Sequence, residues 1–181
     1  MKYIVAIFLT ITISYANAKK DMYELYKSKK FSQACNIGLN NFSNYANDES
    51  YISLYAFSCL ETNFIDRLAI PIIKLKFTPQ GRANSAYFSV ILMQKKLLYH
   101  SLIDGYDLSS FNFPSTKHII SKVFDAYTSL GKHNQKKYYI FQDKNDKLLK
   151  YKLYLIKPNK LKKMVIEEIY NNKIIKKHTY W

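Results

Sequence analysis

The apolar residues of this chain change their spacing once, at Gly131, and that change limits what the chain can fold into. Before Gly131 they recur every three or four positions; after it they recur every second position. The first spacing matches the turn of a helix and the second the pleat of a strand, and one segment cannot serve both. The chain therefore reads as α+β: helical hairpins over residues 19–131, then a four-stranded antiparallel meander over 132–181.

Four runs carry the meander: KYYIFQD, KLLKYKLYLIK, KLKKMVIEEIY and KIIKKHTYW. They are rich in β-branched and aromatic residues, and DKND, PN and NN separate them. Asn171-Asn172 suits a two-residue hairpin, because Asn tolerates positive φ. Leu149, Tyr151, Leu153 and Leu155 share one face of their strand, and Lys150 and Lys152 share the other. Such alternation predicts one buried and one wet face. Lysines on the edges also oppose sheet-to-sheet aggregation.

In the helical part, Met22, Leu25 and Tyr26 lie on one face of DMYELYKSKKF. Phe31, Ala34, Cys35, Gly38, Leu39 and Phe42 form an apolar stripe in FSQACNIGLNNF. Asp48 is placed to cap YISLYAFSCLE, a further helical run. FIDRLAIPIIKL reads as a further helix, TPQGRAN as a turn, and SAYFSVILMQKKLLYHSLID as one long helix or two. STKHIISKVFDAYTSLG closes the series, with Ser115 or Thr116 at its start and Gly131 as a left-handed C-terminal cap. If 31–42 and 50–61 run antiparallel around a loop near residue 47, Cys35 faces Cys59. An even count of cysteines points to a bridge in an oxidising compartment; two small buried thiols would fit the same interface.

Sliding the sequence by 33 residues aligns Phe31, Phe64 and Leu97, and likewise Ile37, Ile70 and Ile103. YKSKKFSQACNIGL and LETNFIDRLAIPIIKL each hold a helix end, a short polar turn, an aromatic and then a small residue. On these segments residues 21–105 resemble the tetratricopeptide and Sel1-like helical repeats. The Trp and Gly usual in the first helix are absent, and the small residue is Ala34 in one unit but Ala69, two places late, in the next. The resemblance implies a concave helical surface that binds a peptide or protein. Its groove residues would come from the first helix of each hairpin: Tyr23, Tyr51 and Tyr55.

The opening MKYIVAIFLTITISYANAKK has one early cation, a short apolar run and a small-x-small site at Ala16-Asn17-Ala18. That order predicts a signal peptide over residues 1–18, cleaved on export to a bacterial periplasm. The apolar run is shorter than the roughly 20 residues of a spanning helix, so no transmembrane segment is expected after cleavage.

The charge is uneven. Residues 19–131 carry 13 cations and 9 acids, whereas 132–181 carry 14 lysines and 4 acids. A field of that sign favours anionic partners. The 26 lysines against 2 arginines are also how an AT-rich genome spells a protein, and that spelling leaves a generic basic surface as the other reading. Lys150, Lys152, Lys162 and Lys163 are the candidates for an anion-binding face. Interleaved tyrosines could stack bases or sugars there, although tyrosine is also an ordinary strand residue; nucleic acid is not the expected partner.

Catalytic patterns are weak. His100, His118, His133 and His178 have no metal-ligand spacing, and no cofactor loop is present. His100, Ser101 and Asp104 on one helical turn would lack an oxyanion hole. Glu167 and Glu168, adjacent on a strand, face opposite ways. The expected function is therefore non-enzymatic: a periplasmic scaffold or adaptor that engages another envelope protein through its helical surface. The alternative is a binder of an envelope glycan, lipid head group or nucleic acid through the lysine-rich sheet.

Overall fold

The computed structural model describes residues 18–181, so the expected signal segment 1–18 lies, apart from Ala18, outside the described residues. Among the described residues six α-helices precede a four-stranded antiparallel sheet, and the chain is α+β. The helices are α1 (18–27), α2 (Phe31–Asn40), α3 (Glu49–Glu61), α4 (Ala69–Lys74), α5 (Pro79–Asp104) and α6 (Ile119–Thr128). The strands are β1 (Tyr138–Gln142), β2 (Leu149–Ile156), β3 (Lys163–Tyr170) and β4 (Lys173–Tyr180).

Two compact units divide the chain, one ending at Phe88 and the other running Ser89–Trp181. The division falls inside α5 and not at Gly131, where the period changes. A sheet with one apolar face needs a covering layer. The second half of α5, together with α6, supplies that layer within the second unit.

In the first unit two helices end alike. Lys30 N–H bonds to Leu25 O at 2.8 Å and Lys29 N–H to Tyr26 O at 3.0 Å, with Lys29 at φ 57°. At the end of α3, Phe64 N–H bonds to Cys59 O at 3.0 Å and Asn63 N–H to Leu60 O at 3.2 Å, with Asn63 at φ 65°. Both are six-to-one closures with a left-handed residue, which absorb the orphan carbonyls of the helix end. Each sends the chain into the next helical segment, α2 in one case and the 3-10 turn Ile65–Leu68 with α4 in the other.

The core of this unit gathers Met22, Ala34, Cys35, Tyr51, Tyr55 and Cys59. Cys35 and Cys59 form a disulfide, with their Cα atoms 4.8 Å apart. Gly38 has no room for a side chain: a Cβ there would stand 2.5 Å from the Tyr55 ring. Asp48 caps α3 as expected, its side chain accepting from the Ser50 and Tyr51 N–H groups. Leu39 is a correction to the apolar stripe, because it is exposed. It sits about 100° round the helix from Gly38, past the edge of the small-residue contact with α3.

TPQGRAN is a second correction: it is the start of α5 and not a turn between elements. Thr78 Oγ1 accepts from Gly81 N–H at 2.9 Å, and Pro79 takes the first helical position, where its missing N–H costs nothing. Glu49, at the start of α3, accepts from the Lys76, Phe77 and Thr78 N–H groups and holds this entry in place. Those bonds, led by that from the Thr78 hydroxyl, lower its carboxyl pKa to about 2. From Pro79 to Asp104 α5 is a single helix, so Leu97, the third member of the 33-residue column, stands within a helix and not at a turn.

In the second unit the strands follow the order β1-β2-β3-β4, all pairs antiparallel. Asn171 and Asn172, at φ 47° and 62°, make the two-residue hairpin turn that was expected of them. Tyr139, Phe141, Tyr151, Leu153, Met164, Ile166, His178 and Tyr180 form the buried inner face. Tyr127 of α6 packs edge-on against Tyr139 at 5.0 Å, and Tyr99 of α5 donates to Lys162 O at 2.7 Å. Buried Lys95 donates to the main-chain oxygen of Trp181. The cap of α6 is His118 and neither Ser115 nor Thr116. Its Nδ1 accepts from Ile120 N–H at 3.2 Å, while Thr116 Oγ1 accepts from His118 N–H.

Candidate functional site

The solvent face of the sheet is the surface on which lysine and aromatic groups meet. Its cross-strand rows follow from the register. Tyr138, Tyr154, Val165 and Thr179 form one row; Ile140, Lys152, Glu167 and Lys177 the next; Gln142, Lys150, Ile169 and Ile174 a third. The Lys152 ammonium lies 5.3 Å from the ring centroids of both Tyr138 and Tyr154. Tyr154 donates its hydroxyl to Glu167 Oε1 at 2.7 Å. Burial first, and then that bond, push the Tyr154 phenol up to about 12, so it remains a donor at neutral pH. Glu167, only 6% exposed, is thereby engaged inside the face.

The four lysines singled out in the sequence do not form one cluster. Lys150 and Lys152 share the solvent face two positions apart, or about 7 Å. Lys163 pairs with Ile156, four positions beyond Lys152, and its ammonium lies 4.8 Å from the Trp181 ring. Lys162 lies in the β2–β3 connection. Lys177, across Glu167 from Lys152, joins the face and was missed. The alternation of Lys177 with Thr179 was the available signal, but register against β3 was needed to read it.

The three groove tyrosines fare differently. Tyr23 is half exposed, with Lys27 Nζ 5.4 Å from its ring. Tyr51 and Tyr55 are 0% and 3% exposed and belong to the core, which corrects their assignment to a surface. Tyr51 stacks on Tyr45 at 4.1 Å, and its hydroxyl donates to Gly38 O at 3.2 Å. Burial pushes its phenol pKa up. An exposed apolar row exists instead at Ile70, Ile73 and Phe77, on and just after α4.

His100, Ser101 and Asp104 do not align as a triad. His100 Nδ1 meets Asp104 Oδ2 at 2.8 Å, whereas the Ser101 hydroxyl pairs with Tyr127 OH at 2.9 Å, buried inside the unit. Glu167 and Glu168 also part company, since Glu168 pairs with His178 Nε2 at 2.7 Å on the inner face.

One polar constellation escaped the sequence reading. Asp143 Oδ1 accepts from Asn145 N–H at 2.8 Å and Asp146 N–H at 3.1 Å. Its Oδ2 accepts from Lys122 Nζ at 3.1 Å and from Tyr151 OH, and Lys122 also donates to Tyr151 OH at 3.0 Å. A cavity of about 240 Å³ adjoins them, lined also by Ser115, Lys117, Gln142 and Lys144. The Tyr151 bond, with help from Asn145 N–H and Lys122, lowers Asp143 to about 2. Burial, then the carboxylate, raise Tyr151 to about 12. Lys122 is raised too, first by its bond to Tyr151. At neutral pH the aspartate is ionised, the lysine and tyrosine keep their protons, and the carboxylate is fully occupied. The cluster ties the β1–β2 turn to α6. Its Asp-led turn was legible in DKND; its partner 21 residues upstream was not.

Among the described residues no group of three or more His, Cys, Asp or Glu could hold a metal ion, and no helix is long and apolar enough to cross a membrane. Compared with family models, curated proteins and solved structures, the chain matches none.

Proposed function

We propose that this is a non-enzymatic binding protein of the bacterial envelope, and that it works through the solvent face of its sheet on an anionic ligand. The observation that carries this reading is the Lys152 ammonium bracketed by Tyr138 and Tyr154, with Lys150 and Lys177 in neighbouring positions. A ring face holds one side of an ammonium and leaves N–H donors for an anion. Lysines act as point charges without the planar fork of arginine, so they suit an extended anionic surface better than one shaped phosphate pocket. The expected leader and the bridged cysteines support an exported protein.

A second reading keeps the adaptor role and moves its contact from the tyrosine groove to Ile70, Ile73 and Phe77, an apolar row open to a protein partner.

One experiment separates the two. The exported protein is crosslinked in its envelope, purified at low and at high salt, and compared with a Lys150→Gln/Lys152→Gln variant. Anionic material that is retained at low salt, released at high salt and lost from the variant is the expected result. A single protein that survives high salt and ignores the lysine substitutions would overturn the sheet-face reading in favour of the adaptor.

A further inference from the structure

We infer that the solvent face of the sheet docks on an anionic lipid bilayer and seats Ile174 and Ile175 at the head-group boundary. The inference rests on the anion-binding reading of the same face and names its ligand.

It starts from a register shift. Ile169 pairs with Ile174 and Glu168 with Lys176, so Ile175 is an extra residue on β4. In an unbroken strand two adjacent isoleucines would face opposite ways. Here Lys176 lies opposite the inner-facing Glu168 and Ile174 opposite the outward Ile169, and Ile175 stands between them with no partner residue in the β3 register. A bulge of this kind re-aims a side chain; Ile174 belongs to the solvent face, Ile175 bulges beside it, and the two are 60% and 59% exposed. Ile140, also exposed, lies on that face in β1, and exposed Leu148 and Tyr170 lie at the same end of the sheet.

The cations stand around these groups. Lys150 shares the row of Ile174, Lys152 and Lys177 occupy the next row, and Lys173 follows the hairpin turn. The nearby carboxylates are already engaged: Glu167 accepts from Tyr154, and Asp146 Oδ1 accepts from Leu148 N–H. A second copy of the face would bring lysine against lysine, so charge excludes self-pairing. An anionic bilayer complements every part. Isoleucines enter the acyl boundary, lysine stems lie along it with their ammonium groups at the lipid phosphates, and tyrosine rings sit at head-group depth. Each lysine near such a surface adds attraction that salt removes.

The test uses the exported protein and vesicles of pure phosphatidylcholine or of phosphatidylcholine with phosphatidylglycerol, read by flotation. Binding of soluble polyphosphate is measured in parallel, and near-UV circular dichroism checks the fold of each variant. Wild type is expected to float with the anionic vesicles and not the neutral ones. Ile174→Ser/Ile175→Ser should weaken vesicle binding about ten-fold and leave polyphosphate binding unchanged. Lys150→Gln/Lys152→Gln should weaken both. Polyphosphate binding without vesicle binding would sink the lipid inference and spare the anion-binding reading. Binding to neither would sink both. Vesicle binding that ignores the isoleucine substitutions would show attraction by charge alone and overturn the docking geometry.

Discussion

The two compact units use different means of cohesion. The first closes α2 against α3 with the Cys35–Cys59 bridge and a core of tyrosines. The second, without a disulfide, relies on a strand ladder and on hydrogen-bonded polar pairs drawn inward, such as Asp143 with Lys122 and Glu168 with His178. All four histidines also fall in the second unit. The redox-sensitive bond therefore lies in one unit and every histidine in the other.

Removing the bridge should have the largest effect. Cys35→Ser/Cys59→Ser closes no loop, and the 24-residue separation predicts a loss of about 3 kcal/mol on the chain-entropy model. Amide exchange should quicken in α2 and α3 while β2 and β3 keep their protection. Equal loosening of both regions would show that the units unfold as one and would erase the contrast.

Asp143→Ala is the reciprocal probe. It strips Lys122 and Tyr151 of their shared acceptor and the β1–β2 turn of two N–H bonds. A loss of about 2 kcal/mol is expected, confined to exchange in the second unit. An unchanged denaturation midpoint would mean that water replaces the carboxylate at no cost.

The pH effect is smaller and sharpens the contrast. Burial, with help from His178 and Lys176, lowers His118 from 6.5 to about 4 in the folded chain. The unfolded chain takes up its proton first, so stability is full above about pH 6.5 and declines as the pH falls towards 4. At pH 5.5 the loss is on the order of 1 kcal/mol. It should appear in the second unit alone, because the described residues of the first hold no histidine. His118→Asn keeps a capping acceptor without the titration. Melts of this variant and wild type between pH 7 and 4.5 should diverge; parallel curves would remove His118 as the cause.

Much of the fold was legible because it is written locally. The strand runs, the Asn171-Asn172 turn, the Asp48 cap and the pairing of Cys35 with Cys59 each depend on near neighbours or on one simple hairpin. The candidate site was half legible. Lys150 and Lys152 were placed on the wet face by alternation, but Lys177 and the bulge at Ile175 depend on register with β3. Tyr51 and Tyr55 were misassigned because α3 is apolar around most of its circumference, with Tyr51, Ile52, Tyr55, Ala56, Cys59 and Leu60 all buried. Periodicity cannot choose a solvent face on such a helix.

By itself, then, the sequence determined which segments are helix and which are strand, where the chain turns, and that positive charge collects in the last 50 residues. These follow from side-chain spacing and backbone preference over a few residues. Tertiary structure decided what anchors the helix start at Thr78-Pro79, because Glu49 reaches the Thr78 N–H and hydroxyl from 29 residues away. It also decided that Asp143 is buried against Lys122, and that a register shift leaves Ile175 as an extra residue beside Ile174. Each of these outcomes depends on a partner distant in sequence, and a local pattern holds no record of which partner that will be.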